Sequence, residues 1–226
     1  MVKGIVFDFD GTLANSLIGG LDAFNYAFET MGLKVPQETE VKQHFGAGAD
    51  RIFYRLLGNW EHALQAFDHY KVYQTKKLFR SNWHEGIETL LEKIAEHKVP
   101  TAIVTGRHSE DLAMVSQHLG LASRFISVVC DNHVSASKPS PEGIFLAAGT
   151  LNLKPSEIIY VGDSVGDVAA ARSAGAISVA ALWDPTAKKE SFSEAPDHWA
   201  YHPSELWDIF MACSTNANPS PSCDRV

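Results

Sequence analysis

The sequence is poor in cysteine and has no excess of positive charge. Its three cysteines, Cys130, Cys213 and Cys223, form neither an even disulfide framework nor a metal-binding spacing, so free thiols in a reducing compartment are expected. Its 19 basic residues against 27 acidic ones give a net charge of −8. A chain without a basic face has little with which to neutralise a phosphate backbone, so nucleic-acid binding is not expected.

Long apolar runs are also missing. No window approaches the roughly 18 consecutive apolar residues that a membrane-spanning helix requires. The apolar start of the chain is interrupted by Asp8 and Asp10, so it lacks the continuous stretch of a signal peptide. The expectation is a cytoplasmic protein with no membrane partner, and the sequence indicates no oligomeric state.

The chain does contain an alternation of short apolar runs and amphipathic segments. Strands are predicted at Gly4–Phe9, Thr101–Thr105, Phe125–Cys130, Ile158–Gly162 and Ile177–Leu182, with a weaker one at Trp199–His202. Helices are predicted at Glu85–His97, Glu110–Leu119, Pro141–Leu151 and Asp167–Ala174. Runs that are apolar on both faces suit parallel strands covered by helices. The pattern therefore predicts an α/β fold with a doubly wound, mostly parallel, Rossmann-like sheet.

The alternation is broken between the first two predicted strands, where the spacing of apolar residues is helical. The helical segments are predicted at 17–31, Asp50–Leu57 and Trp60–Phe79. The predicted organisation is an α/β core of residues 1–14 and 83–212 and an inserted helical cap domain of residues 15–82. The polar pairs Asn15-Ser16 and Ser81-Asn82 are expected to act as hinges. Small polar residues near the end predict a disordered tail over 213–226.

Acidic residues follow two of the predicted strands. Asp8 and Asp10 come after the first strand, and Asp163 and Asp167 come after the fourth. Ligands bind at the carboxyl ends of the strands in an open α/β sheet, and hard cations such as Mg²⁺ prefer oxygen donors. These carboxylates are therefore candidate metal ligands. The alternatives are an Asx turn at the first pair and, for Asp167, capping of the helix that it opens.

Three further places carry weaker signals. Thr105 and Gly106 end the second strand and offer an anion a hydroxyl and a backbone N–H, although Thr105 would also suit a helix cap. Lys138 precedes a proline that disfavours helix before it, and its alternative is a solvated surface lysine. In the glycine-rich segment 44–51 of the cap, His44 and Arg51 are candidates to bind a substrate carboxylate or a distal phosphate. The alternative is that the segment is a turn between helices and that both side chains are exposed to solvent.

Taken in chain order, these stretches resemble the motifs of the haloacid dehalogenase-like hydrolase superfamily. The matching stretches are Asp8-Phe9-Asp10-Gly11-Thr12, Val104-Thr105-Gly106, Lys138-Pro139 and Gly162-Asp163-Ser164-Val165-Gly166-Asp167. The resemblance covers nearly all of residues 1–210. The helical insert resembles the family's α-helical cap, its specificity element, and the chain looks most like the phosphoglycolate phosphatase-like branch.

The resemblance implies a Mg²⁺-dependent phosphatase, a phosphoric monoester hydrolase, that acts on a small phosphorylated metabolite such as phosphoglycolate or a sugar phosphate. It implies that Asp8 is the nucleophile that forms an aspartyl-phosphate and that Asp10 is the general acid and base. It also implies a set of phosphate-binding residues, Thr105, Gly106 and Lys138, and a set of metal ligands, Asp8, Asp10 and Asp163, with Asp167 behind them.

Position 10 separates some of the family's chemistries. Dehalogenases and phosphonatases of the family lack an acid there, and its ion-pumping ATPases carry threonine, so Asp10 favours hydrolysis of a phosphate ester. A sugar-phosphate mutase keeps this acid. The alternatives are therefore a phosphomutase or pyrophosphatase of the same architecture, or a catalytically inactive binding protein.

Overall fold

The computed structural model describes residues 1–76 and 82–215. Its strands are β1 (Gly4–Phe7), β2 (Ala14–Asn15), β3 (Asn82–Trp83), β4 (Thr101–Val104), β5 (Ser127–Val129), β6 (Ile158–Gly162), β7 (Ile177–Ala181) and β8 (His198–Ala200). Its helices are α1 (Leu17–Thr30), α2 (Glu38–Lys42), α3 (Ala49–Leu57), α4 (Trp60–Lys76), α5 (Ile87–Glu96), α6 (Ser109–Ser116), α7 (Leu121–Arg124), α8 (Glu142–Thr150), α9 (Val165–Ala174) and α10 (Pro203–Thr215).

Six strands form one parallel sheet in the order β5-β4-β1-β6-β7-β8. The central strands are buried along their whole length, as in β1, β4 and β6, because helices cover both faces of the sheet. One face packs apolar residues of β1 against α5 and α10, and the other packs β4 and β6 against α8 and α9. The predicted doubly wound α/β sheet is confirmed, and each predicted sheet strand is present within a few residues.

The segment between β2 and β3 is helical, as the spacing of apolar residues predicts. Helices α1, α3 and α4 pack on one another around an aromatic cluster of Phe24, Phe53 and Tyr70. The end of the predicted third helical segment, residues 77–79, lies outside the described residues, as does Ser81. This helical unit has its own apolar core, and its role as a cap domain stays a prediction.

Two of the predicted hinge residues, Asn15 and Asn82, lie in a small second sheet. β2 pairs antiparallel with β3, with Ala14 opposite Trp83 and Asn15 opposite Asn82. Two paired residues are too few to show the alternation of apolar and polar side chains by which strands are recognised. The pairing of β2 with β3 joins the two chain segments that connect the core to the cap.

The predicted disordered tail over 213–226 begins too early. Helix α10 continues to Thr215, and Cys213 is buried against the core. Leu206, Trp207, Phe210 and Cys213 recur at helical spacing and pack against the face of the sheet that carries α5. Residues 216–226 lie outside the described residues. Among the described residues, no helix is both long and apolar enough to cross a membrane.

Candidate active site

The sheet order brings the predicted site residues to one edge. β1 lies between β4 and β6, and because the strands are parallel, their carboxyl ends meet at the same edge. Asp8 and Asp10 follow β1, Gly106 lies just beyond β4, and Asp163 follows β6. All four line one cavity of about 70 Å³ between the sheet and the cap.

A cluster of carboxylates lies at the floor of this cavity. Carboxylate oxygens of Asp8, Asp163 and Asp167 all lie within 4.8 Å of one another. Gly11, at φ +73°, leaves room for the carboxylate of Asp163, since a Cβ on Gly11 would lie 2.4 Å from Asp163 Oδ2. Burial raises the pKa of Asp8 to about 7, and burial together with the charge of Asp8 raises the pKa of Asp163 well above its ordinary value. Converging, poorly hydrated carboxylates of this kind suit a divalent cation.

Lys138 is buried beneath the cluster and is not a surface lysine. Its Nζ lies 2.9 Å from Asp8 Oδ1 and 2.7 Å from Asp167 Oδ1, and 4% of its side chain is exposed. Burial alone would lower its pKa, but the carboxylates of Asp167 and Asp8 hold that pKa well above its ordinary value. The Lys138–Pro139 peptide bond is cis. The ion pairs with Asp8 and Asp167 make Lys138 a fixed positive charge beside Asp8.

Asp167 has the capping role that the sequence left open, and its role behind the metal ligands stays a prediction. As a capping residue of α9, its Oδ2 accepts a hydrogen bond from the backbone N–H of Ser164 at 3.1 Å. Its Oδ1 accepts from Lys138 Nζ and from the hydroxyl of Tyr160, the latter at 3.0 Å. The carboxylate that caps the helix thus also fixes the lysine that faces Asp8.

Thr105 and Gly106 differ in what they present to the cavity. The Oγ1 of Thr105 accepts a hydrogen bond from the backbone N–H of Arg107 at 3.1 Å, so Thr105 stabilises the turn after β4. Its side chain is buried and does not line the cavity, whereas Gly106 does. The structure therefore brings Gly106 to the site directly and places Thr105 one layer behind it.

Comparison with known proteins agrees with this arrangement. The family model of the haloacid dehalogenase-like hydrolases matches residues 5–181. The chain belongs to this family. Phosphoglycolate phosphatase from Yersinia pseudotuberculosis is 32% identical over 187 residues, which cover 77% of this chain and 78% of that protein. N-acetylmuramic acid 6-phosphate phosphatase from Pseudomonas aeruginosa is 28% identical over 219 residues, which cover 92% and 94%.

A solved structure shows the same fold for this haloacid dehalogenase-like hydrolase. A hydrolase from Pseudomonas syringae superposes with a TM-score of 0.83 at 19% identity, covering 93% of this chain and 98% of that one. The predicted family and its phosphoglycolate phosphatase-like branch are confirmed. The prediction of a phosphatase is confirmed at the level of the family, since the curated relatives named above are phosphatases.

The helical unit, the predicted cap, contacts the core through the glycine-rich loop 44–51. A Cβ on Gly106 would lie 2.7 Å from the carbonyl oxygen of Gly46, and one on Gly48 would lie 2.8 Å from Asp131 Oδ2. The backbone of the loop therefore lies directly against Gly106 of the core and against the side chain of Asp131. Beside this cavity, a larger cleft of about 600 Å³ shares Asp163 with it and reaches Lys42 of α2.

His44 and Arg51 do not line the cavity, and their role toward a substrate stays a prediction. Arg51 turns to the core, with Nε 3.2 Å from Oδ2 of the buried Asp131. His44 lies on the outer part of the loop beside Gln43. Arg51 is held by the opposite charge of Asp131, and no contact among the described residues brings either side chain to the phosphoryl site.

A second ion pair lies next to that of Arg51, with the charges reversed. His108 of the core lies 3.2 Å from Oδ1 of Asp50 in the cap. The hydrogen bond with Asp50 raises the pKa of His108, and Asp131 and Asp111 act in the same direction. The cap therefore supplies one negative and one positive side chain, and the core supplies their opposites. We call this set of four, Asp50, Arg51, His108 and Asp131, the ionic clasp.

Sequence reasoning missed Arg107, which lies directly in the site. Arg107 is buried and lines the cavity, and its guanidinium contacts two carboxylates. Its Nε lies 2.8 Å from Asp10 Oδ2, its Nη2 lies 2.7 Å from Asp10 Oδ1, and its Nη1 lies 2.7 Å from Asp111 Oδ2. The signal in the sequence was its position directly after Thr105-Gly106, with an acidic residue four positions further on the helix.

Proposed function

We propose that this hydrolase is a Mg²⁺-dependent phosphatase that acts on a small phosphorylated metabolite through an aspartyl-phosphate on Asp8. The observation that carries the proposal is the buried Asp8 carboxylate between a lysine, 2.9 Å away, and the carboxylates of Asp163 and Asp167. An anionic nucleophile and an anionic phosphate ester repel each other. A site for them therefore needs fixed positive charge, which Lys138 and a divalent cation provide.

The acidic cluster fits Mg²⁺ by its donor set. Carboxylates of Asp8 and Asp163 and the backbone carbonyl of Asp10 would hold the ion, and all are hard oxygen donors. When bound, Mg²⁺ neutralises charge on the nucleophile and on the phosphoryl group. Asp167, which is already bound by Lys138, Tyr160 and Ser164, would support the site without ligating.

The chain's own residues account for the two chemical steps. Asp8 attacks phosphorus, the bond to the leaving oxygen breaks, and Asp10 gives that oxygen a proton. Asp10 then takes a proton from the water that attacks the phosphoryl group on Asp8, which releases phosphate and restores the carboxylate. Lys138, the Gly106 N–H and, after a small rearrangement, the Thr105 hydroxyl would stabilise the phosphoryl oxygens.

The shape of the site favours a small ester with an extension. The cavity over Asp8 is small, about 70 Å³, and its cap wall is apolar, with Phe24, Phe45 and Ile52. The adjacent cleft of about 600 Å³ would take the remainder of the molecule. Two relatives act, by their names, on phosphoglycolate and on N-acetylmuramic acid 6-phosphate, so a phosphorylated hydroxy acid or sugar phosphate is the class to screen first.

The deciding assay is turnover of 4-nitrophenyl phosphate with Mg²⁺ and with excess EDTA. We expect turnover that requires Mg²⁺ and that falls by several orders of magnitude in Asp8→Asn, which keeps the shape of the side chain without its negative charge. A binding protein would show no turnover. A mutase would show little with this ester but would interconvert sugar phosphates when a bisphosphate is supplied. The cytoplasmic location stays a prediction.

A further inference from the structure

To act as acid and base, Asp10 must have its side chain held so that one carboxylate oxygen faces the reacting group. It follows β1 in a loop, and 21% of its side chain is exposed. A partly exposed carboxylate can occupy more than one staggered rotamer unless its neighbours hold it. General acid–base catalysis requires the exchanging oxygen to stay within hydrogen-bond reach of the reacting group.

The hydrogen bonds to Asp10 are unequal. Oδ1 accepts from Arg107 Nη2 at 2.7 Å and from the hydroxyl of Ser16, and at 3.0 Å it shares with Oδ2 the one N–H of Arg107 Nε. Oδ2 has a single donor among the described residues, Arg107 Nε at 2.8 Å. The two donors of its own occupy both lone pairs of Oδ1, whereas Oδ2, which accepts only from the shared Nε–H, keeps a free lone pair.

Arg107 is itself held at both its backbone and its side chain. Its N–H donates to Thr105 Oγ1 at 3.1 Å, and its carbonyl accepts from the backbone N–H of Asp131 at 2.9 Å. Its Nη1 donates to Asp111, a buried carboxylate of α6. A planar guanidinium fixed in this way has few rotamers to lose, so it can orient a second carboxylate.

We propose that Arg107, anchored by Asp111 and assisted by Ser16, is a positioning residue that holds Oδ1 of Asp10 and leaves Oδ2 to exchange the proton. The proposal rests on the proposed function, in which Asp10 is the acid and base. The ion pair between Arg107 and Asp10 allows Asp10 both to donate a proton to the leaving oxygen and to take one from water. When Oδ2 carries the proton, Oδ1 remains the carbonyl oxygen of the acid and keeps its bonds to Arg107 Nη2 and Ser16.

The test is the dependence of kcat/KM on the leaving group. Phenyl phosphate leaves as a basic phenolate that needs a proton, whereas 2,4-dinitrophenyl phosphate leaves as a stable anion that does not. Phosphorylation of Asp8 then depends on Asp10 for the first ester only. In Arg107→Gln we expect kcat/KM to fall roughly tenfold or more on phenyl phosphate and less than roughly threefold on the dinitrophenyl ester. Arg107→Lys keeps the charge without the fork and should recover only part of the loss.

Two further variants keep the test decisive. Ser16→Ala removes the other donor to Oδ1 and should give a smaller loss with the same leaving-group pattern; it decides the matter if the Arg107 variants do not fold. Arg124→Gln, in the surface helix α7, changes an arginine that pairs with exposed Glu88 and should leave both esters unaffected.

Each outcome supports or overturns the inference. Equal losses on both esters would show that Arg107 only stabilises the fold, and a gain on phenyl phosphate would show that it holds Asp10 out of action. Either result in an active wild-type enzyme overturns the inference and leaves the proposed function standing. A wild-type enzyme that hydrolyses neither ester with Mg²⁺ would overturn both.

Discussion

Replacing Gly106 with alanine measures how closely the cap must lie on the sheet. A Cβ at this position would lie 2.7 Å from the carbonyl oxygen of Gly46 and 3.1 Å from the carbonyl carbon of Ala47, both backbone atoms of the cap loop. An ordinary contact needs at least 3.4 Å. The loop must therefore retreat by about 0.7 Å, because backbone cannot rotate away as a side chain can.

The expected effect is on closure and not on the core. Overpacking of this size costs about 1–3 kcal/mol, which corresponds to roughly a 5–150-fold shift of the closure equilibrium toward open. Alanine keeps the backbone N–H that we propose to face the phosphoryl group, so loss of that donor cannot explain the effect. In Gly106→Ala we expect KM for 4-nitrophenyl phosphate to rise within that range, while the midpoint of denaturant unfolding of the α/β core changes little.

A matched variant separates closure from a general effect of alanine. Gly149 lies in α8, and no atom of the described residues outside its own helix backbone and chain neighbours would come within 4 Å of a Cβ at this position. Gly149→Ala should therefore leave kinetics unchanged and stabilise the helix by about 0.5–1 kcal/mol. Wild-type KM in Gly106→Ala would refute the reasoning, since it would mean that the loop does not close on Gly106 during turnover.

Three other predictions follow from the charged residues of the site and of the ionic clasp. Lys138→Met should lower the free energy of unfolding by about 3–5 kcal/mol in a urea titration, because it leaves the Asp8 carboxylate buried without its cation; an unchanged midpoint would contradict the geometry. His108 has a raised pKa because of Asp50, so the stability that this pair contributes is full below the unfolded pKa of about 6.5 and is lost as pH rises through the folded pKa; the difference in stability between wild type and His108→Gln should therefore shrink from pH 5.5 to 8.5, and a constant difference would argue against the pair. Mg²⁺ should raise the Tm of the wild type and not of Asp163→Asn, and an equal rise in both would place the ion elsewhere.

The sequence predicted the parts of the site that lie directly at strand ends. Asp8, Gly106 and Asp163 occupy the cavity because a parallel sheet brings the carboxyl ends of its strands together whatever the loops do. Lys138 was found through its place in the motif order, and its burial between Asp8 and Asp167 required the structure. Its separation of 25 residues or more from both partners leaves no local signal for that contact.

The parts that sequence reasoning missed depend on contacts between distant segments. Arg107 acquires its meaning from Asp10, which lies on another strand end, and Arg51 is drawn to the core by Asp131 and not toward a substrate. The strands β2 and β3 are too short to show a pattern. Helix α10 does carry helical spacing, but the small polar residues that follow Cys213 obscured where it ends.

The central claim is that a phosphoryl group passes through Asp8, and trapping that group tests it most directly. Asp10→Asn should slow the hydrolytic step more than phosphorylation when 2,4-dinitrophenyl phosphate is used, because this leaving group needs no proton. After acid quench in Mg²⁺, mass spectrometry should then find one phosphoryl group on the tryptic peptide of residues 4–34, which contains Asp8. The adduct should be absent from Asp8→Asn. Two results would contradict the account. One is turnover of this ester by the wild type together with no adduct on that peptide of Asp10→Asn, and the other is an adduct that persists in Asp8→Asn.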